Sequence, residues 1–474
     1  MMDARRVQFV TGRLAEPALR RLLAEMAPDF AYDVSVLGIT VAALMTTPWI
    51  GRHLDVPPGT DLVLIPGLCE GDPQVIADKL GVTVKKGPKD LREIPRYFGR
   101  AAAMHEYGAW DIEIVAEINN APRLSPEALR AAADYFRASG ADVIDVGCTP
   151  GLAFPTLGGV VRDLVAAGMR VSVDTFDPDE IRTAVAAGAE LVLSVNGSNL
   201  EVARDLAGTG ARVVVVPDLG GALDTLEPSL EKLEQWGVGY LIDPILEPIG
   251  FGFMASLERY AEVRRRYPGA AMLMGVGNLT EMTAADSTGV NALLMAICQE
   301  LGVRAALTTE VIPWARGAVC ELDVARRLMH YAVTRHTIPK GVDDRLLTVK
   351  DPAILTFTED ELRALQARIT DPNFRIFADR EGITVLNNER FVRSTGVDRL
   401  GDLFAQLDVN EATHAFYLGR ELARASLAVT LGKTYRQEGA LSWGYLTPAD
   451  DETSGHVRLT QGQKRNPSAD DSSG

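Results

Sequence analysis

The sequence predicts an α/β chain whose centre is a closed (β/α)8 TIM barrel flanked by two smaller domains. Two observations lead to this fold class. From residue 111 onward, eight short apolar runs alternate with helix-like segments, and the runs are continuously apolar, as expected of parallel strands buried on both faces. Eight such units in about 225 residues match the size of a closed barrel. An open doubly wound sheet is the alternative, but the even spacing and the count of eight favour closure.

The strands and helices of the barrel are predicted in strict alternation. Helical segments begin with a capping residue followed by proline, as at Ser125–Pro126 and Asp177–Pro178, which is typical of helix N-termini. The predicted strands are residues 111–118, 143–147, 170–175, 191–196, 211–217, 240–245, 271–276 and 304–310.

The segments on either side of the barrel, which is assigned to residues 101–345, have different patterns. In residues 1–100, runs such as VQFVTG, YDVSVLG and LVLIPG alternate with helical segments, which predicts a small Rossmann- or flavodoxin-like α/β domain. Residues 350–447 combine two strands around a DREG turn with a long helix, which predicts an α+β domain. Residues 448–474 are polar and poor in apolar side chains, so a disordered tail is expected.

The stretch VTGRLAE follows the first strand of the N-terminal domain. Such a turn can hold a phosphate at the N-terminus of the next helix. It lacks the full GxGxxG spacing of a dinucleotide site, so a phosphate cradle and a plain turn both remain open.

Charge and composition narrow the classes of function. The chain has a net charge of −16, which argues against nucleic-acid binding because that binding depends on basic patches. No apolar run reaches the roughly 18 residues that span a bilayer, and the N-terminus lacks a secretory apolar region, so a cytoplasmic protein without membrane contact is expected. The four cysteines and six histidines show no metal-binding spacing, so the cysteines are interpreted as reduced thiols and no protein-bound metal is predicted.

Polar residues stand at the ends of most predicted barrel strands. A single Asp there is usually a helix cap or a turn former. In a closed barrel, however, the carboxyl ends of all strands meet on the face that carries the active site. A ring of carboxylates and carboxamides on that face points to a ligand rich in N–H donors. The residues are Asn119, Asn120, Asp145, Asp174, Asn196, Asp243, Asn278 and Glu310.

Four stretches of the predicted barrel resemble, in the right order and at the right spacing, the pterin-binding enzymes. VIDVGCTPG, VSVDT, SVNGSN and DPILEPIGFG are similar to the second, third, fourth and sixth strands of dihydropteroate synthase and of the methyltetrahydrofolate-dependent methyltransferases. The resemblance covers about residues 111–335 and implies a barrel that binds a reduced pterin as its substrate.

The resemblance also implies roles for individual residues. Asp174, Asn196 and Asp243 would hold the pterin, because carboxylates and carboxamides pair with its 2-amino and ring N–H donors. The residues implied at the reacting end or at the pyrophosphate, and therefore in catalysis, are Asn119, Asp145 and Thr149.

Cationic side chains of the synthases are absent at three matching places. GVGNLTE follows the seventh strand without a lysine, LTTEV ends the eighth without arginine or histidine, and the GCTPG loop lacks its arginine. GVGNLTE is instead similar to the methyltransferase branch, where an Asn after the seventh strand bonds the pterin. This resemblance adds Asn278 to the expected pterin contacts.

The arrangement of the whole chain resembles long dihydropteroate synthase-related proteins associated with tetrahydromethanopterin metabolism. It implies a transferase that condenses hydroxymethyl-dihydropterin pyrophosphate with an arylamine, here a ribosylated aniline phosphate. Mg²⁺ would accompany the substrate pyrophosphate. The alternatives are a methyl-tetrahydropterin-dependent methyltransferase acting with a corrinoid protein and a non-catalytic pterin-binding or carrier protein. A homodimer is compatible with the sequence, which leaves the oligomeric state open.

Overall fold

The computed structural model describes residues 6–89, 91–99, 107–218, 220, 222–395 and 400–447. The chain divides into two compact units, residues 1–340 and 341–474. The first unit contains the N-terminal α/β domain and the barrel. The predicted tail at residues 448–474 lies outside the described residues.

The N-terminal domain is a four-stranded parallel sheet covered by helices on both faces. Its strands lie in the order β2-β1-β3-β4. Period-two alternation sends Val7 and Phe9 of β1 to one face and Val10 to the other. The strands are β1 (Arg6–Thr11), β2 (Ala31–Val36), β3 (Leu62–Ile65) and β4 (Thr83–Lys86), and the helices are α1 (Glu16–Met26), α2 (Thr47–His53), α3 (Gln74–Leu80) and α4 (Ile94–Tyr97).

The barrel is an eight-stranded parallel sheet closed on itself. Its strand order is β10-β9-β8-β7-β6-β5-β12-β11. A parallel bridge between Ile242 and Met272 joins the two outer strands, where the Ile242 amide donates to the Ala271 carbonyl at 2.9 Å. The predicted closed barrel is therefore confirmed, and an open doubly wound sheet is excluded.

The barrel strands follow the predicted runs with ends trimmed by a few residues. They are β5 (Glu113–Ile118), β6 (Val143–Gly147), β7 (Arg170–Asp174), β8 (Leu191–Val195), β9 (Arg212–Val215), β10 (Gly239–Ile242), β11 (Leu273–Gly275) and β12 (Ala305–Thr308). The α-helices are α5 (Pro126–Ala138), α6 (Leu157–Ala166), α7 (Pro178–Ala186), α8 (Leu226–Trp236), α9 (Phe253–Arg266), α10 (Gly277–Thr280), α11 (Ser287–Leu301) and α12 (Ala318–Thr334). A 3-10 helix, Leu200–Leu206, stands between β8 and β9.

The barrel interior contains a layer of aliphatic side chains that come from seven of the eight barrel strands, β7 being the exception. The members of this layer are Val115, Val143, Leu191, Leu193, Val214, Leu241, Leu273 and Ala305. Because side chains alternate along a strand, the inward residues beyond this layer are fixed by parity. They are Glu117 on β5 and Asp145 on β6, nearer the carboxyl end. On β7, Asp174 shares a face with Ser172, whose hydroxyl donates to Asp145.

Ion pairs close the opposite, amino-terminal end of the barrel. Arg170 at the start of β7 donates to Glu113 at 2.5 Å and to Glu190 at 2.7 Å. Arg304 lies 3.2 Å from Asp111 at the same end. Charges at this end are paired with opposite charges, which distinguishes it from the carboxyl end.

Arg326 links α12, the last helix of the barrel, to residues just before β5 and β6. Its side chain is 2% exposed and donates to the carbonyls of Ile112 at 2.8 Å and Gly140 at 3.0 Å. It also forms ion pairs with Asp142 and with Asp323, the latter at 2.7 Å. A buried guanidinium with partners for most of its N–H groups is stable only while those partners remain.

The second unit contains a three-stranded antiparallel sheet and a long helix. The strands are β13 (Arg375–Ala378), β14 (Ile383–Leu386) and β15 (Phe391–Ser394), and the helices are α13 (Glu359–Gln366), α14 (Leu400–Ala405) and α15 (Ala412–Leu431). The predicted turn at DREG is present, since Asp379 accepts from the amides of Glu381 and Gly382. Leu418, Leu422 and Ala425 of α15 pack on this sheet.

The four cysteines form no disulfide bond. In the part of the chain that the structure describes, no helix is long and apolar enough to cross a bilayer.

We predict that Arg326→Ala lowers the free energy of unfolding of the first unit by about 3–5 kcal/mol, because it removes a buried guanidinium and leaves the carbonyls of Ile112 and Gly140 and the partly buried carboxylate of Asp142 without this donor. Chemical denaturation followed by circular dichroism measures the change. Arg265→Ala is the control, because Arg265 is 72% exposed and, among the described residues, pairs only with Glu262 on the surface. This variant should change stability by less than about 1 kcal/mol. Equal effects of the two variants would contradict the assigned role of Arg326.

Candidate functional site

Three carboxylates converge at the carboxyl end of the barrel. Glu117, Asp145 and Asp174 come from the neighbouring strands β5, β6 and β7, and one oxygen of each lies within 4.8 Å of the others. Register places Glu117 opposite Asp145, and Gly147 opposite Asp174. Three oxygens at this spacing can share protons or hold a hard divalent cation.

Asp145 is the most deeply buried member of this carboxylate cluster. It is fully buried, and its Oδ1 accepts from the hydroxyl of Ser172 at 2.6 Å. Its Oδ2 has no hydrogen-bond partner among the described residues. Burial, and then repulsion by Asp174 and Glu117, raises the pKa of Asp145 well above its usual range. A buried oxygen without a partner is costly, so this position suits a bound group that supplies one.

The other two carboxylates of the cluster are partly accessible. Burial, reinforced by the charge of Glu117, raises the pKa of Asp174 to about 7. The pKa of Glu117 is also raised, by burial and by repulsion from Glu281, against the opposing bond from Asn119. The cluster therefore takes up protons easily near neutral pH in the absence of a ligand.

A chain of polar side chains leads from the cluster to the loop after β6. Thr149 donates to Oδ1 of Asn120 at 3.2 Å, Asn120 donates to Oδ1 of Asn119, and Asn119 donates to Glu117 at 3.2 Å. Two of the residues expected in catalysis, Asn119 and Thr149, are thus linked to the cluster that contains the third, Asp145. All donors in this chain point toward Glu117, which stabilises its ionised form.

Asn196 stands just after β8 and is nearly buried. Its side-chain oxygen accepts from the amide and the hydroxyl of Ser198, at 3.0 and 2.6 Å. Because the oxygen is engaged in its own loop, the amide NH2 is the group that Asn196 can offer to a ligand. It is therefore suited to an acceptor on a ligand rather than to a donor.

Asp243 follows β10 and is held by two groups on one oxygen. Its Oδ1 accepts from the hydroxyl of Tyr260 at 2.5 Å and from the amide of Ile245 at 2.8 Å. Burial raises the pKa of Asp243 to about 6 against these two bonds and the charge of Arg259. This geometry leaves Oδ2 as the acceptor for a ligand.

Arg259 of α9 is a cation that contacts this loop and lies outside the matched motifs. Its guanidinium donates to the carbonyls of Pro244 at 3.1 Å and Ile245 at 2.8 Å, and lies 3.6 Å from Glu247. These contacts fix the turn after Asp243. Arg259 is therefore engaged chiefly in holding the loop.

Asn278 is the neighbour of Asp243. It lies at the start of α10, and its Nδ2 donates to the carbonyl of Leu246 at 3.0 Å. A Cβ atom on Gly275 would lie 3.6 Å from this Nδ2 and 3.9 Å from Oδ2 of Asp243. The two side chains therefore border the same small space, kept open by a glycine.

Glu310, which was predicted to belong to the polar ring, forms hydrogen bonds within the fold instead. It accepts from the Val319 amide at 3.0 Å and the Tyr135 hydroxyl at 3.0 Å. Conversely, Glu117 was missed, because a glutamate within the strand EIVAEI looks like a solvent-facing residue. Its direction could have been predicted from Val115, because residues two positions apart on a strand face the same side and Val115 faces inward.

Fold and site together define a TIM-barrel protein with a polar ligand site at the carboxyl end of its strands. Two family models match parts of the chain. Residues 119–220 match the family described as pterin binding enzyme, and residues 5–89 match a family of unknown function, DUF6513. The match to the pterin binding enzyme model thus covers β6 to β9 of the barrel and the loops between them.

Individual relatives are more distant. The uncharacterized protein MJ0107 of Methanocaldococcus jannaschii is 27% identical, over 92% of this chain and 99% of its own length. Among solved structures, dihydropteroate synthase from Thermus thermophilus is 21% identical, with a TM-score of 0.36, covering 44% of this chain and 92% of that one. The Xanthomonas albilineans dihydropteroate synthase in complex with 7,8-dihydropteroate is 22% identical, with a TM-score of 0.37, covering 47% and 93%.

We predict that Gly147→Ala disrupts the carboxylate cluster, because a Cβ there would lie 2.4 Å from Oε1 of Glu117. Such overpacking costs about 1–3 kcal/mol of stability. Gly159→Ala is the control, since Gly159 lies in a helix with nothing within 4 Å of the added atom, and it should stabilise the protein slightly.

A second substitution shows whether Glu117 is the cause. Combining Gly147→Ala with Glu117→Ala removes the colliding carboxylate, so the pair should be less destabilised than the sum of the single variants. Strict additivity in thermal unfolding would mean that Glu117 does not face Gly147.

Proposed function

We propose that the barrel binds a reduced pterin at the carboxyl end of its strands and acts as a pterin-utilising transferase. The observation that carries the proposal is the set of acceptors at this end: Asp174 is partly buried, Asp243 is buried, and both have raised pKa values in a barrel that matches the pterin binding enzyme model over residues 119–220. Buried carboxylates of this kind are expected where a ligand with several N–H groups completes their hydrogen bonding.

The donors and acceptors of the site complement those of a pterin. Oδ2 of Asp243 and the carboxylate of Asp174 would accept from the 2-amino group and ring N–H. The amide NH2 of Asn196 would donate to a ring nitrogen or carbonyl, because its oxygen is already bonded to Ser198. Asn278 would meet the ring beside Asp243.

The reaction we propose is condensation of hydroxymethyl-dihydropterin pyrophosphate with an arylamine. The C–O bond to pyrophosphate breaks, a C–N bond forms, and the nitrogen loses one proton. The chain positions the reactants and provides carboxylates that stabilise the positive charge developing on the pterin methylene. A carboxylate of the cluster can accept the proton released by the amine.

A pyrophosphate group beside three carboxylates requires a counter-charge. Glu117, Asp145 and Asp174 offer oxygens at a spacing that fits Mg²⁺, which prefers oxygen ligands and retains several waters. The cation would neutralise the leaving pyrophosphate. This role fits the lack of lysine and arginine in GVGNLTE, LTTEV and GCTPG.

For the amine, we propose a ribosylated aniline phosphate, as in tetrahydromethanopterin synthesis. The support is the changed set of cations relative to the synthases, since a different amine requires a different anion site. The small-molecule pterin and this amine are the partners that the reaction needs, and a homodimer remains compatible with it.

Methyl transfer from a tetrahydropterin is the second candidate, and Asn278 favours it. This side chain follows β11 and is oriented by the Leu246 carbonyl, beside the space next to Asp243. An amide there can bond the ring nitrogen that carries a methyl group. A corrinoid protein or a thiol would then receive the methyl group.

Calorimetry with three ligands separates the candidates. A synthase should bind hydroxymethyl-dihydropterin pyrophosphate most tightly in the presence of Mg²⁺ and release pyrophosphate when the arylamine is added. A methyltransferase should prefer methyl-tetrahydromethanopterin, and a carrier should bind unsubstituted pterin equally well. Absence of binding to all three would contradict a pterin function altogether.

We predict that Asp243→Asn weakens pterin binding and removes part of its pH dependence. The pKa of about 6 means that the carboxylate is ionised above pH 6 and protonated below it. Because the proposed ligand bonds the ionised forms of Asp174 and Asp243, wild-type affinity should fall as the pH drops below 7, and Asp243 should add up to about tenfold per pH unit below pH 6. The titratable and charged groups facing Asp243 are Tyr260, Arg259 and Cys298.

Titration of the pterin itself is common to both proteins, so the ratio of wild-type to variant affinity isolates Asp243. That ratio should be roughly ten to a hundred at pH 8 and should shrink below pH 6. Asp163→Asn, at an exposed position of α6, is the control and should leave the affinity unchanged. A ratio that does not vary with pH would contradict the role of the Asp243 charge.

Asn278→Ala distinguishes the two reactions. In a synthase it should raise the Kd for pterin by about three- to tenfold, the loss of one neutral hydrogen bond, with little effect on the chemical step. In a methyltransferase it should lower the rate of methyl transfer far more than it weakens binding. Rapid-quench measurement of single turnovers separates the two effects.

A further inference from the structure

The N-terminal sheet reverses its direction of growth between β1 and β3. From β1 the chain moves outward to β2, and then returns across β1 to add β3 and β4 on the other side. In open parallel sheets, the loops after the two strands at such a reversal turn to opposite faces and leave a crevice at the carboxyl ends of the strands. That crevice is where ligands of such sheets bind.

A cavity of about 250 Å³ lies at this position. Its floor is formed by the ends of β1 and β3, with Phe9, Val10 and Ile65, and by Leu19 of α1. The loops after all four strands contribute to its walls, and Thr337 and Ile338, which follow α12, complete its rim. None of the described barrel strands lines it, so it is separate from the proposed pterin site.

The walls of this crevice are held in place by backbone contacts on both sides. A Cβ on Gly12 would lie 2.8 Å from the Ile39 carbonyl oxygen, and one on Gly67 would lie 2.4 Å from that of Gly87. On one side the β1 loop packs against the β2 loop, and on the other the β3 loop packs against the β4 loop. The crevice between these two pairs of loops is therefore largely preformed.

The backbone of the β1 loop does not offer a phosphate cradle. The amides of Arg13 and Leu14 donate to the carbonyls of Ile39 and Thr40, at 3.0 and 3.1 Å. Pro17 in the first turn of α1 has no N–H, and Glu16 adds a negative charge there. Of the two interpretations of VTGRLAE, the turn is the one that this geometry supports.

The rim of the crevice is apolar and open to solvent. Leu14, Val41, Leu68 and Ile338 are 52, 40, 53 and 52% exposed, and all four line the cavity. A contiguous exposed apolar patch of this kind usually marks a binding site. Among the described residues that line the cavity, Lys89 is the only one with an ionisable side chain.

We propose that this crevice binds a small amphiphilic carboxylate, an aryl or short-chain acyl acid. The apolar body occupies the space between the β1 and β3 loops, and the carboxylate faces Lys89. In a chain with a net charge of −16, a site whose one charged residue in the described lining is a cation selects for an anionic group. Most of the lining lies within residues 5–89, the segment that matches the family of unknown function; Leu91, Ile94, Thr337 and Ile338 lie outside it.

Calorimetric titration of the full-length protein with octanoate and with 1-octanol tests the proposal. Octanoate should bind with one site per chain and about fivefold more tightly than 1-octanol, the effect of a partly exposed ion pair. Lys89→Gln should remove that preference without changing 1-octanol affinity. Ala18→Trp fills the cavity and should weaken both ligands about tenfold or more.

Two control variants and one alternative variant accompany these measurements. Arg20→Trp adds the same side chain at an exposed position of α1 and should not affect binding, and Lys79→Gln removes an exposed lysine of α3 with the same expectation. If Ala18→Trp disturbs folding, Leu68→Asp at the exposed rim should still weaken both ligands.

Octanoate binding that is unchanged in Lys89→Gln and Leu68→Asp would overturn the proposal. So would sedimentation showing a wild-type dimer that Leu68→Asp dissociates, with no octanoate bound, because the crevice would then be a contact between two copies. Neither outcome affects the interpretation of the pterin experiments, because those test the barrel and not the N-terminal domain.

Discussion

Closure of eight parallel strands into one barrel is the constraint on which the rest of the first unit depends. The bridge between Ile242 and Met272 completes the ring, and every strand then ends on the same face. Once the ring is closed, side-chain parity leaves no choice about which residues face inward. The positions of Glu117 and Asp145 follow from the aliphatic layer beneath them, and that of Asp174 follows from the inward-facing Ser172 on the same strand.

The two ends of the barrel differ in whether their acidic side chains are paired with cations. At the amino-terminal end, Arg170 bridges Glu113 and Glu190, so acidic groups are neutralised by the chain itself. At the carboxyl end, Asp145 is fully buried with one oxygen lacking a partner in the described part of the chain. Unpaired buried carboxylates reduce stability, and such sites are retained where a ligand or a reaction uses them. This asymmetry is the physical basis for placing the function at the carboxyl end.

The barrel and most of its polar ring could be predicted from the sequence, because strands buried on both faces have a strong apolar pattern and end in recognisable polar residues. Contacts that depend on distant parts of the chain could not be predicted in this way. Tyr260 and Arg259 lie on a helix well after Asp243, and nothing local indicates that they bond its loop. The strand β4, read TVKK, was missed because only Val84 of its four residues is buried, which gives an edge strand almost no apolar pattern.

A crystal structure of the full-length protein soaked with 6-hydroxymethyl-7,8-dihydropterin tests the central claim most directly. The account predicts the pterin at the carboxyl end of the barrel, with its 2-amino edge within hydrogen-bond distance of Asp243 Oδ2 and the amide of Asn196 on a ring acceptor. A pterin bound elsewhere, or a barrel mouth that stays free of pterin at millimolar concentration, would contradict it.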